Sequence, residues 1–226
     1  GVGEPDFATP WSIREAAIYS LEKGETSYTS NLGLLSLRER ISEYVDDFFH
    51  VSYDAQSEIL ITVGVSEALD LALRALLDPG DEVIYHEPCY VSYSPSIVMA
   101  HGVAVPVATR KEDGFSLKPN ALSAAITSKT KIVMLNFPTN PTGAVASRED
   151  LEGIAKLCVK HDRIVLSDEI YSELRYNEEE HVSVPERMPV LIYVSDWNMV
   201  KTLPAKPAEC VYDWSATGAC GKVMMC

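Results

Sequence analysis

Three short stretches carry side chains whose types and spacing suit chemistry on a small molecule. The first is 131–143, KIVMLNFPTNPTG. Its apolar, β-branched run from Ile132 to Leu135 reads as a strand buried on both faces. Asn136, Pro138, Asn140, Pro141 and Gly143 then forbid both helix and further strand. Amides on a rigid turn beyond the carboxyl end of a buried strand lie where open α/β sheets hold ligands. The second stretch is 163–171, RIVLSDEIY, a short apolar strand ending in Asp168. A carboxylate buried at such a strand end costs free energy unless it meets a partner; a helix cap or a salt bridge is the ordinary use. The third is Gly64-Val65-Ser66, a small-residue turn between an apolar strand (59–63) and a helix (67–77) that Ser66 could cap. Backbone N–H groups and the positive end of the helix would face an anion such as a phosphate there.

The turn N-x-P-x-N-P-T-G resembles the signature turn of the fold-type I pyridoxal-phosphate aminotransferases, the aspartate-aminotransferase-like class I/II family. Further stretches resemble that family in its own order: GVGEPDFATP at 1–10, YTSNLG at 28–33, GVSEAL at 64–69, Pro88-x-Tyr90 and Asp168-Glu169-x-Tyr171. The resemblance implies roles, residue by residue. The segment around Gly3 would fold over the substrate, its backbone near the substrate carboxylate. Tyr28 would reach across a dimer interface to the cofactor phosphate of the other subunit. Gly64, Val65 and Ser66 would hold the phosphate, and Tyr90 would stack on the pyridine face. Asn140 and Tyr171 would meet the phenolic oxygen. Asp168 would pair with the pyridine nitrogen and keep it protonated, making the ring an electron sink. The implied reaction moves an amino group between an amino acid and a 2-oxo acid, and the implied complete form is a homodimer.

The elements that must position these residues alternate along the chain. Helices are expected at 11–23 (Ile13, Ala16, Ala17 and Leu21 on one face), 37–49 (Leu37, Ile41, Tyr44, Val45 and Phe48 as core), 67–77 and 150–161. The last opens with a capping box, Ser147-x-x-Asp150. Strands are expected at 59–63, 82–86, 103–108, 132–135 and 163–167, with a polar loop and helix at 115–128. This alternation predicts an α/β fold, a mostly parallel sheet with helices on both faces. No G-x-G-x-x-G follows a strand, which disfavours a dinucleotide-binding domain.

Composition is that of a soluble globular protein, 46% hydrophobic and 23% charged. The formal charge of −14, without a basic cluster, argues against nucleic acid and anionic membranes as partners. No apolar run reaches the length of a membrane span, and no signal peptide is visible, although the chain opens on Gly1 rather than Met. Cys89, Cys158, Cys210, Cys220 and Cys226 are widely spaced and odd in number, as expected of reduced thiols in a cytoplasmic protein. Neither they nor the five histidines show metal-ligand spacing, and no metal is expected.

Beyond about residue 186 the resemblance fails. The expected organisation is 1–24 as substrate loop and helix, 25–188 as an incomplete cofactor-binding large domain, and 189–226 as an aberrant tail. The chemistry needs a Schiff-base lysine, which the family supplies in an S-K-x-x-x-M-x-G-x-R-x-G-Y stretch. Lys201 lies at a suitable distance from Asp168, but Val200 stands where Ser is expected. The small domain with its substrate-binding Arg, and an antiparallel inner strand of the main sheet, have no counterpart. A sheet lacking an inner strand exposes backbone on its neighbours, so a poorly soluble or partner-dependent chain is expected. A catalytically inactive dimer partner of a full-length relative is the alternative reading. Tyr212-Asp-Trp-Ser-Ala-Thr-Gly218 can be encoded as TAT GAC TGG TCA GCG ACT GGG, which one base later reads Met-Thr-Gly-Gln-Arg-Leu-Gly, the missing pattern except at the variable position. The codon table forces only the Gly contributed by Trp214. Sequencing the coding DNA is expected to find codons compatible with that second frame; codons that forbid it would exclude a frameshifted tail.

Overall fold

A computed structural model of the chain describes residues 8–172, Leu174, residues 181–184, and the backbone of two further strands at 191–194 and 222–225. Its centre is a seven-stranded sheet. In chain order the strands are β1 (Ile59–Leu60), β2 (Glu82–Glu87), β3 (Val103–Ala108), β4 (Thr130–Asn136), β5 (Ile164–Asp168), β6 (Leu191–Val194) and β7 (Lys222–Met225). In space they run β1-β7-β6-β5-β4-β2-β3, and every described pairing is parallel. α1 (Trp11–Glu22) and α2 (Leu35–Phe49) precede the first strand, and α3 (Gly64–Leu76), α4 (Tyr93–Met99), α5 (Pro119–Ala125) and α6 (Arg148–His161) lie between strands. The expected α/β architecture is what forms.

The strands are apolar on both faces because helices cover both. Successive residues of β4 enter opposite cores: Ile132 and Met134 one, Val133 and Leu135 the other. The first core takes Ala68, Leu69, Ala72 and Leu73 from α3 and Tyr93 and Ile97 from α4. The second takes Ile41, Tyr44 and Val45 from α2, Leu122 from α5, and Leu151, Ile154, Ala155 and Cys158 from α6. The period-two alternation of the strands thus decides which helix each residue meets. Ser147 caps α6 as expected, its Oγ accepting from Asp150 N–H at 3.1 Å. Asp150 Oδ2 in turn accepts from Lys118 Nζ at 2.8 Å, tying α6 to the start of α5.

Several expectations are corrected. The first strand is only two residues long, because Ile61 N–H bonds to Leu32 C=O at 3.0 Å and so leaves the ladder. That contact needs Gly33: with φ +90°, a Cβ there would sit 2.4 Å from Ile61 Cβ. Phe48 is exposed and Phe49 is buried instead, since the buried stripe of α2 ends one residue later. The face proposed for α1 is not buried; none of that helix's residues is. The inner position of the sheet is also filled. β7, from the tail, lies between β1 and β6 and pairs with both. It supplies backbone partners that the neighbouring strands would otherwise lack. The resemblance implied an antiparallel strand there, and this one is parallel.

Ile154 is fully buried between α6 and the sheet. Ile154→Ala is expected to cost about 2–5 kcal/mol, whereas Phe48→Ala on the exposed side of α2 is expected to cost under about 1 kcal/mol. Urea denaturation of the two variants checks the contrast.

Candidate active site

The site grows from the register of the two central strands. β4 and β5 pair so that Asn136 lies opposite Asp168, the last residue of each strand. Asn136 Nδ2 donates to Asp168 C=O at 2.9 Å, fastening the two strand ends together. Its Oδ1 accepts from Asn140 N–H at 2.9 Å, and its C=O accepts from Thr139 Oγ at 2.7 Å. Thr139 N–H and Gly143 N–H close the turn on Ala144 C=O and Thr139 C=O. Asn140 is therefore held from both sides, and its Nδ2 donates to the Tyr171 hydroxyl at 3.3 Å.

Asp168 is 3% exposed. Its Oδ2 accepts from the Tyr93 hydroxyl at 2.6 Å and its Oδ1 from Ile170 N–H at 3.3 Å. Burial, and then the neighbouring Asp168 charge, push the Tyr93 phenol well above its usual range. Tyr93 therefore stays a donor throughout the physiological range. Tyr90 stands edge-on to Tyr93, ring centroids 5.7 Å apart, and is half-buried at the rim. Tyr90 and Val65 pack against the same core as Tyr93.

α3 begins at Gly64, three residues earlier than the sequence suggested, and this corrects the role of Ser66 as its cap. Ser66 lies within the first turn, Val63 is the cap residue, and no side chain caps the helix. The Val63 N–H instead donates to Glu67 Oε2 at 2.5 Å. The first-turn N–H groups of a helix have no acceptor within the helix, which leaves Val65 and Ser66 suited to an anion. Gly64 has φ +76°, and no described residue lies within 4 Å of where a Cβ would stand.

Four of the proposed residues thus share one end of the sheet: Tyr90, Asn140, Asp168 and Tyr171. The Gly64–Ser66 turn is carried by the helix packed on the same core. Tyr28 is not part of this cluster; it is fully exposed. Gly3 and Lys201 lie outside the described residues. Sequence reasoning passed over Asn136, Tyr93 and His86 as site residues. For Tyr93 a signal existed, its place three residues after Tyr90; for His86 none did, because its partners come from another strand.

His86 is 2% exposed, stacks on Phe137 with centroids 4.8 Å apart, and accepts from Asn136 N–H through Nε2 at 3.3 Å. Burial pushes its pKa down from 6.5 to about 4. A depressed histidine refuses a proton that the unfolded chain accepts. Stability is then full above pH 6.5 and falls by up to about 3 kcal/mol as pH drops to about 4. Denaturation midpoints measured across that window are expected to decline in the wild type, and His86→Gln is expected to remove this contribution to the slope.

The family model described as aminotransferase class I and II matches residues 1–198. A Bacillus subtilis protein named as an aminotransferase, YugH, is 52% identical over 79% of this chain and 46% of its own length. The aspartate aminotransferase of Pyrococcus abyssi is 42% identical over 81% of this chain and 47% of its own. The crystal structure of an aromatic aminotransferase from Pyrococcus horikoshii superimposes with a TM-score of 0.85 at 40% identity, covering 87% of this chain and 53% of that one. The chain spans about half the length of the relatives it matches. By the extent of these matches and by its fold, it belongs to the class I and II aminotransferase family.

Proposed function

We propose that this chain carries the pyridoxal-phosphate-binding part of an enzyme that moves an amino group between an amino acid and a 2-oxo acid. The observation that carries this reading is the convergence at one sheet end of a buried Asp168, held by Tyr93, with the Asn140–Tyr171 pair. The donor set fits the cofactor. Asp168 is an acceptor suited to a protonated ring nitrogen, Asn140 and Tyr171 are donors suited to a phenolate, and the first-turn N–H groups of Val65 and Ser66 suit a phosphate. Bound pyridoxal phosphate would supply an electron sink for the bond broken at the amino acid's α-carbon.

The chain's own residues would do the rest. Gly64, Val65 and Ser66 would bind the phosphate through backbone N–H groups. Tyr90, at the rim, would cover one face of the ring, and Asp168 would hold the proton on its nitrogen. Lys201 would be the covalent anchor and proton carrier, and Gly3 would lie at the substrate carboxylate. A homodimer is part of the proposal: Trp11, Ile18, Tyr19 and Leu21 of α1 and Tyr28 are exposed, as residues destined for a second subunit would be. The division into 1–24, 25–188 and 189–226 is part of the proposal, with β6 and β7 of the last segment joining the sheet of the second. The free thiols of Cys89 and Cys158 suit a reducing, cytoplasmic setting.

Intact mass after incubation with pyridoxal phosphate and borohydride tests the assignment. One stoichiometric adduct, mapped to Lys201, is the expected result. Labelling scattered over surface lysines would remove the enzymatic reading and favour the inactive dimer partner.

A further inference from the structure

Glu169 is as deeply buried as Asp168, at 1% exposed, and the reading above gives it no task. Consecutive residues at a strand end face opposite sides of the sheet. Asp168 meets Tyr93 on the α3–α4 side, and Glu169 turns to the side of α2 and α6. There it accepts from three donors. Oε1 takes Ser167 Oγ and Val184 N–H, each at 2.9 Å, and Oε2 lies 2.6 Å from His181 Nε2. His181, its side chain 10% exposed, stands edge-on to Phe49 of α2 with centroids 6.3 Å apart. Val184 belongs to the same core.

Burying a carboxylate is costly unless its oxygens are occupied, and this arrangement occupies both. It also closes a loop. The chain leaves β5 at Glu169 and turns through Tyr171, with Ser172 N–H bonded to Glu169 C=O at 3.0 Å. It returns at 181–184 to the Glu169 side chain. Both residues that face the proposed cofactor from this segment, Asp168 and Tyr171, lie within or beside the closed loop. Among the described residues, Tyr93 and Asn136 hold Asp168 through its carboxylate and its C=O, and Glu169 fastens the strand end from the opposite side.

We infer that Glu169 and His181 are positioning residues, which hold the carboxyl end of β5 so that Asp168 and Tyr171 keep their distances to Tyr93 and Asn140. The importance of those distances for catalysis rests on the proposed function; the positioning itself does not.

The test uses the chain labelled with carbon-13 at tyrosine Cζ, with the Tyr93 resonance assigned from Tyr93→Phe. Asp168→Asn defines the signal of a Tyr93 that has lost its carboxylate partner. Glu169→Ala and His181→Phe are expected to move the Tyr93 resonance at least half of the way to that position. Glu169→Gln can still accept from Val184 and Ser167 and donate to His181, so it is expected to keep the wild-type signal. A folded Glu169→Ala or His181→Phe with an unmoved Tyr93 resonance would overturn the inference. So would a Glu169→Gln that behaves like the alanine variant, since charge rather than position would then be what matters. If Glu169→Ala does not fold, His181→Phe decides alone, because it leaves two of the three donors in place. Binding of pyridoxamine 5′-phosphate carrying nitrogen-15 in the ring is followed in parallel. Failure of the wild type to bind it removes the proposed function, while the tyrosine signal still judges Glu169 and His181.

Discussion

The pairing of β4 with β5 is the constraint on which the site depends. Parallel register puts Asn136 beside Asp168 at the last rung of the ladder, and neither residue could be moved by one position without facing the other core. From that rung the amide of Asn136 reaches both ways, to the Asp168 backbone and to Asn140. A shift of register would therefore separate the carboxylate from the asparagine turn and dismantle both halves of the site together.

Among the described residues, the Tyr93 hydroxyl and the Ile170 N–H serve the Asp168 carboxylate, one on each oxygen. His86, buried with its pKa pushed down to about 4, is neutral at physiological pH and adds no charge beside Asn136.

The tail has a different relation to the fold. The family match ends at residue 198, yet the backbone of Lys222–Met225 occupies the position between β1 and β6. A strand can fill such a position with little demand on its side chains, because the ladder is made by backbone groups common to nearly all residues. A catalytic lysine is different: it must be one residue type at one place. The same stretch of chain can therefore complete a sheet without completing an active site.

The order of β1 to β5 and of α1, α2, α3, α5 and α6, the capping of α6 and the placing of Tyr90, Asn140, Asp168 and Tyr171 at strand ends were legible in the sequence, whereas α4, β6 and β7 were not. Each legible feature rests on local signals: apolar runs of strand length, a Ser-x-x-Asp box, proline and asparagine that end a strand, and motifs in a family's order. Tertiary structure alone decided the rest. The hydrogen bond of Tyr93 to Asp168 joins residues 75 positions apart, and the bond of Arg38 to Ala55 C=O likewise answers to packing rather than to any local pattern. The truncation of the first strand at Ile61, the burial of Phe49 in place of Phe48, and the capture of His181 by Glu169 have the same origin. In each, the partner is supplied by another element, and periodicity along one element carries no record of what will face it.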